Sequence, residues 1–221
     1  MARRGSGRDV TLAVRATGEV VLARHGQGDC NAAGVIGGAR GCSGLSPRGR
    51  RESALLADRL AQLHAESPFD VLLTSPRPRV LECAQIVGAR LARPVTVLES
   101  LHGQEFGAAD GGLWEHVIAD FGGPPAHDPD RPVAAGAEPW NVYVDRVLTA
   151  LTALLAAYGS RRLLLIGHGK TTGLAGALLA GAHPRARAKD YVVDHGAFSQ
   201  WRHGPEGWQL VVHNDARHLV D

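Results

Sequence analysis

Apolar and polar positions along the chain fall into short runs that switch between strand and helix periods. Val20 to Ala23 (VVLA) is a continuous apolar stretch of the kind a strand buried on both faces needs, and it stops abruptly at Arg24, His25 and Gly26. Val10 to Arg15 precedes it, and Ala16-Thr17-Gly18 between the two predicts a hairpin turn, with Val20 to Ala23 as the central strand. Ser46 offers an N-cap with Pro47 at the first helical position, and Leu55, Leu56, Leu60 and Leu63 recur at helical spacing behind them. Phe69 to Thr74 reads as a short strand ending in Ser75-Pro76, followed by a helix from about Arg79 to Leu91 and a strand at Val95 to Leu98. Regular patterning returns with an amphipathic helix at Trp140 to Tyr158. Arg162 to Ile166 is a buried strand closed by Gly167-His168-Gly169, and Thr171 to Ala180 is a helix of small residues. Ala197 to Arg202 and Trp208 to His213 pair as a hairpin around Gly204-Pro205-Glu206-Gly207. Strands alternating with helices predict an α/β layered domain.

The stretch 102–139 breaks this rhythm. It is rich in Gly, Pro, Ala and Asp, and its one helical candidate is Leu113 to Phe121. A long irregular segment inside a domain predicts a lid or an insertion. At 221 residues and 44% hydrophobic, the chain fits one domain over 9–221 behind a basic, glycine-rich tail at 1–8. Arg3-Arg4 resembles the start of a twin-arginine signal but lacks the apolar stretch that must follow. The net charge of +2 argues against nucleic acid or a membrane surface as partner, and no apolar run approaches the length of a membrane span. Cys30, Cys42 and Cys83 have no CxxC spacing and leave one over after any pair, which predicts a reducing, cytoplasmic setting.

Three of the strands end in polar chemistry: Arg24-His25-Gly26, Ser75 with Arg79 four residues on, and Gly167-His168-Gly169. A strand end reaching solvent explains any one of them. If the strands are parallel neighbours, however, two arginines and two histidines meet at the edge where open α/β sheets bind ligands. Arginine forks grip phosphate oxygens in pairs, glycines let backbone approach a ligand, and a histidine among such donors is a nucleophile toward phosphorus.

The ordered set resembles the histidine phosphatase superfamily, with its phosphoglycerate-mutase-like fold. Arg24-His25-Gly26 matches the RHG motif, Asn31 the asparagine six residues after the histidine, and Leu45-Ser46-Pro47-Arg48-Gly49 the helix start of the LTxxG type. Ser75-Pro76-Arg77-Pro78-Arg79 resembles SPxxR, with Cys83-Ala84 at the common TA. Gly136-Ala137-Glu138 sits where GES precedes the long helix, Gly167-His168-Gly169 is the second-histidine motif, and Asn214 to Leu219 resembles the closing NDxxHL. The resemblance implies a three-layer α/β/α sandwich with a mostly parallel central sheet. It implies His25 as phosphoryl acceptor, with Arg24, Arg79, His168 and Asn31 holding the phosphoryl oxygens, and no metal or other cofactor.

The chain departs from the family at the general acid, a glutamate in a pattern like LxExxFG. In Leu101-His102-Gly103-Gln104-Glu105-Phe106-Gly107 the spacing puts Gly103 there; a rival register would use Glu99. Glu105, Asp110 and Glu138 are the carboxylates that would have to reach in instead, Glu105 foremost. Lys170, directly after the second histidine motif, is expected to face solvent, with contact to a substrate anion as the alternative. Trp114, His116, His127, Asp128, Arg131 and Trp140 would supply a pocket from the irregular segment; His127-Asp128-Pro129-Asp130 lacks metal-ligand spacing.

The expected activity is a phosphatase on a small phosphorylated metabolite through a phosphohistidine on His25. A family member altered to bind a phosphorylated ligand or to run another reaction in the same pocket is the alternative, and a phosphomutase the third. Substrate, pathway and whether the chain forms a homodimer are not written in the sequence.

Overall fold

A computed structural model describes residues 18–158 and 160–219. The expected tail at 1–8 and the strand at Val10 to Arg15 lie outside these residues.

A six-stranded sheet organises the molecule. Its strands are β1 (Glu19–Arg24), β2 (Val71–Thr74), β3 (Val95–Val97), β4 (Arg162–Gly167), β5 (Phe198–Gly204) and β6 (Gly207–Asp215). Their spatial order is β3-β2-β4-β1-β5-β6. β1, β2, β3 and β4 run parallel, and the β5–β6 hairpin is antiparallel at the β1 edge. The expected central strand is therefore central, flanked by β4 and β5.

Among the described residues the α-helices are α1 (Asp29–Ala32), α2 (Pro47–Glu66), α3 (Pro78–Leu91), α4 (Trp114–Phe121), α5 (Trp140–Tyr158), α6 (Gly169–Leu179) and α7 (Pro184–Arg187). Ser46 caps α2 as expected: its Oγ accepts from the backbone N–H of Gly49 at 3.0 Å. α1 and α7 carry too few residues to show a period and were not foreseen. Leu55 is on the outer face of α2, while Leu56, Leu60 and Leu63 turn inward.

The period-two alternation of the strands separates two cores. Val21, Ala23, Leu72, Leu164 and Ile166 point to one face, where α2 and α3 pack with Leu56, Leu60, Val80 and Val87. Val20, Leu22, Leu73, Leu163 and Leu165 point to the other, under Tyr143, Val144 and Val147 of α5 and Leu174 of α6. Runs that are apolar at every position are what two covered faces demand. The result is the expected three-layer sandwich. The segment 102–139 packs its own small core of Ile36, Phe106 and Ala109, and it is tied down by single bridges from Val35 to Leu113 and from Phe106 to Ala137. Cys30, Cys42 and Cys83 are buried and unpaired. Among the described residues, no helix is long and apolar enough to cross a membrane.

Candidate active site

The three polar strand ends meet. Arg24 pairs in register with Gly167, and Thr74 with Ile166, so β1, β4 and β2 end side by side. His25 and His168 each follow the last residue of their strand, and Ser75 follows β2. The ring centroids of His25 and His168 are 5.6 Å apart in an edge-on arrangement. Both rings are buried, and so is Arg79, which enters from the first turn of α3. Arg79 ties the two histidines together: Nε donates to His25 Nε2 at 3.2 Å and Nη2 to His168 Nδ1 at 3.2 Å.

Hydrogen bonding selects the tautomer of each ring. A carbonyl can only accept, so the 2.6 Å contact between His25 Nδ1 and Gly26 O puts the proton on Nδ1 and leaves the lone pair on Nε2. Arginine can only donate, so His168 accepts through Nδ1 and directs Nε2–H at Ser75 Oγ, 2.9 Å away. Burial, then the Arg79 cation, holds both histidines well below the ordinary value, so both are neutral near pH 7.

Arg24 donates to Val193 O at 3.1 Å and to His195 Nε2 at 2.8 Å, while its Nε is buried and finds no partner among the described residues. The small residue after each histidine makes room for the protein itself. A Cβ on Gly169 would come within 3.1 Å of the Arg24 guanidinium carbon, and one on Gly26 within 2.2 Å of Gly49 O in α2. Gly26 therefore admits neighbouring chain, where the sequence had suggested close approach of a ligand, while Gly169 both clears Arg24 and lines the cavity.

These groups floor a cavity of about 340 Å³, whose wall includes Asn31, Gly103, Gln104, Trp114 and Lys170. Asn31 is at its mouth, its Oδ1 accepting from Gly28 N–H at 3.0 Å. Gly103 faces His168, as the preferred register requires: a Cβ there would lie 3.4 Å from His168 Cε1 and Nε2. Glu99, the rival, is exposed in a single 3-10 turn outside the cavity.

None of the substitute carboxylates lines the cavity. Glu105 is taken by Arg77, with His102 Nδ1 at 3.4 Å, so the foremost candidate acid is bound to a neighbouring cation. Asp110 accepts from the backbone N–H groups of Gly38, Arg40 and Gly41 at 2.7–3.0 Å, and these bonds hold its carboxyl below the usual range despite burial. Glu138 grips Arg146 with both oxygens at 2.8 and 2.9 Å.

Lys170 corrects the expectation of a solvent-facing side chain. Its Nζ donates to Gln104 Oε1 at 3.1 Å, inside a ring of aromatic faces. From the irregular segment Trp114 reaches the cavity, and Trp140, the first residue of α5, stands against Lys170. His116 is exposed, and Arg131 lies over Phe121 beside Asp128, away from the cavity. His195 was missed. Its ring centroid is 5.4 Å from that of His25, and burial followed by Arg24 brings its pKa down to about 4. Val192-Val193-Asp194-His195-Gly196 repeats the pattern of an apolar run stopped by His-Gly, which is the signal that pointed to the other two.

The chain is 22% identical over 200 residues to PhoE of Bacillus subtilis (strain 168), an uncharacterized phosphatase, covering 90% of this chain and 96% of that one. It superimposes on the α-ribazole phosphatase of Shigella flexneri with a TM-score of 0.76 at 22% identity, over 89% of this chain and 96% of the other. A phosphoserine phosphatase from Entamoeba histolytica gives 0.71 at 19% identity, over 92% and 100%. At such identities the solved structures speak for the fold. The model of the histidine phosphatase superfamily (branch 1) matches residues 20–216, from the first buried strand to just past the last one, and the chain belongs to that family.

Proposed function

We propose that the protein is a phosphatase that releases phosphate from a small phosphorylated molecule through a phosphohistidine on His25. One observation carries the reading: the Nδ1–H of His25 is spent on Gly26 O, so the neutral ring keeps its lone pair on Nε2 at the cavity floor, where it accepts from Arg79 Nε at 3.2 Å until a phosphoryl oxygen takes over that donor. In this reading Nε2 attacks phosphorus, the bond to the leaving oxygen breaks, and that oxygen departs with the electron pair. Water then cleaves the N–P bond. Arg24, Arg79 and His168 hold the non-bridging oxygens, and Asn31 assists from the mouth. The unpartnered Arg24 Nε is a fixed donor of the kind that stabilises developing charge, and His168 joins it when its Nε2–H turns from Ser75 Oγ to a phosphoryl oxygen. A cavity of about 340 Å³ suits a small molecule.

With glycine at the acid position, the leaving group departs without a carboxylic acid to protonate it. This favours aryl phosphates, acyl phosphates and phosphoramidates. The same observation supports a second reading, in which a phosphorylated ligand binds and is not turned over. Phosphate release from a panel of aryl, acyl and alkyl phosphates separates the two. His25→Ala should cut release to background, at least about 10³-fold, with an unchanged melting transition. Alkali-quenched protein with labelled substrate should carry phosphate that is stable in base and lost in acid, and the variant should not. A folded His25→Ala variant with undiminished release would overturn the mechanism; no release from any member of the panel would favour the binding reading.

A further inference from the structure

The charges lining the cavity do not balance a phosphoryl group alone. Arg24, Arg79 and Lys170 line it, and no carboxylate does among the described residues. A phosphoryl dianion answers two of those cations. Lys170 is the one left over.

Its surroundings are built rather than accidental. The ammonium is flanked by the rings of Trp140, Phe106 and Trp114, at 4.8, 5.6 and 5.7 Å from their centroids. Ring faces attract a cation but do not neutralise it. Gln104 is buried, and its Nε2 donates to Glu138 O at 2.9 Å, which fixes the amide so that Oε1 meets Lys170 Nζ at 3.1 Å. That uses one of three ammonium donors. Lys170 is also the second residue of α6, where the helix end favours anions and opposes a cation. The carboxylates that could have paired with it, Glu105 and Glu138, are held by Arg77 and Arg146. A half-buried cation with no counter-ion among the described residues is costly, and burial lowers the pKa of Lys170 to about 8.

We infer that Lys170, oriented by Gln104, is a counter-ion site for a second anionic group carried by the leaving portion of the substrate. The protein would then select small phosphorylated acids, bearing a carboxylate or a second phosphate, over neutral phosphate monoesters. The inference rests on the reading of this cavity as the phosphate site, and it is tested by binding, independently of turnover.

The probes are hydrolysis-resistant phosphonates. Phosphonoacetate, phosphonopropionate and phosphonobutyrate are titrated calorimetrically against methyl-, ethyl- and propylphosphonate near pH 7. Bisphosphonates of the same spacings distinguish a second phosphate from a carboxylate. At one spacing the doubly functional ligand should bind about tenfold or more tightly than its neutral partner. Lys170→Met should bring that ratio to near one, and Lys170→Arg should keep part of it. If Lys170→Met does not fold, Lys170→Gln gives the same ratio. A ratio near one at every spacing in the natural protein, or one that survives loss of the lysine, would overturn the inference. Absence of phosphate release would instead strike at the catalytic reading and leave these ratios interpretable.

Discussion

At Gly103 the backbone lies outside the left-handed region, and an added Cβ would make ordinary contact with the His168 ring at 3.4 Å. A glutamate is therefore sterically admissible there and would start out toward the cavity. Without it, the departing oxygen carries its own charge, and the rate should fall steeply as leaving-group pKa rises. Gly103→Glu should speed alkyl phosphates by up to about 10²- to 10⁴-fold while changing aryl phosphates little. A leaving-group series on both proteins reads this directly. A flat series for the natural protein would reveal an acid already present. Lys170 would then be the first residue to substitute, since Glu105 and Asp110 are committed to Arg77 and to three backbone N–H groups. Residues were legible where chemistry coincided with a strand end: Arg24, His25, Arg79 and His168. Lys170 and Glu105 were not, because sequence adjacency to a motif says nothing about which partner a flexible side chain finds. Lys170 turned into three aromatic rings contributed by distant segments, and Glu105 turned away to Arg77.

Among the elements, the crossing of the β1–α1 connection over the first turn of α2 sets the floor of the site. Gly26 and Gly49 meet there with no room for a side chain on either: a Cβ on Gly26 would lie 2.2 Å from Gly49 O and 2.8 Å from Ser53 Oγ. Gly26→Ala should force the strand end and helix apart. The expected cost is about 1–3 kcal/mol, or roughly 2–12 °C in Tm for a chain of this length, with activity lost more steeply because His25 shifts. An unchanged melting temperature with full activity would show that the crossing tolerates the methyl. Long elements with a clear period were readable from sequence, with ends moved by a residue or two: α2, α3, α5 and the strands. In the segment 102–139 the helix expected at Leu113 to Phe121 was readable, as α4, and the rest only as irregular. Its structure comes from isolated bridges and a local core, features that leave no period in the sequence.

At the scale of the whole molecule, gathering three histidines at one sheet edge couples stability to pH. His25 and His168 are held well below the ordinary histidine value, first by burial and next by Arg79, and His195 is brought to about 4 by burial and then Arg24. A group whose pKa falls on folding binds fewer protons in the folded state than in the unfolded one. Below about pH 6.5 the unfolded chain takes up protons that the folded cluster refuses, so stability should drop as pH falls. Each fully refused proton contributes up to about 1.4 kcal/mol per pH unit, and His25, His168 and His195 act together over this window. Above the ordinary histidine value both states are neutral at these sites, and the contribution vanishes. Carboxylates held low, such as Asp215 at about 2 beside Arg217, act in the same direction but only near and below their ordinary pKa. Urea unfolding between about pH 7.5 and 5 isolates the histidine window. The free energy should be flat at the upper end and fall toward the lower. His168→Gln, which can still donate toward Ser75 but cannot titrate, should reduce the slope by close to one proton. A natural protein whose stability stays level down to pH 5, or a variant with an undiminished slope, would mean that the cluster accepts protons when folded. The neutral His25 on which the proposed attack depends would then be untenable at mildly acidic pH.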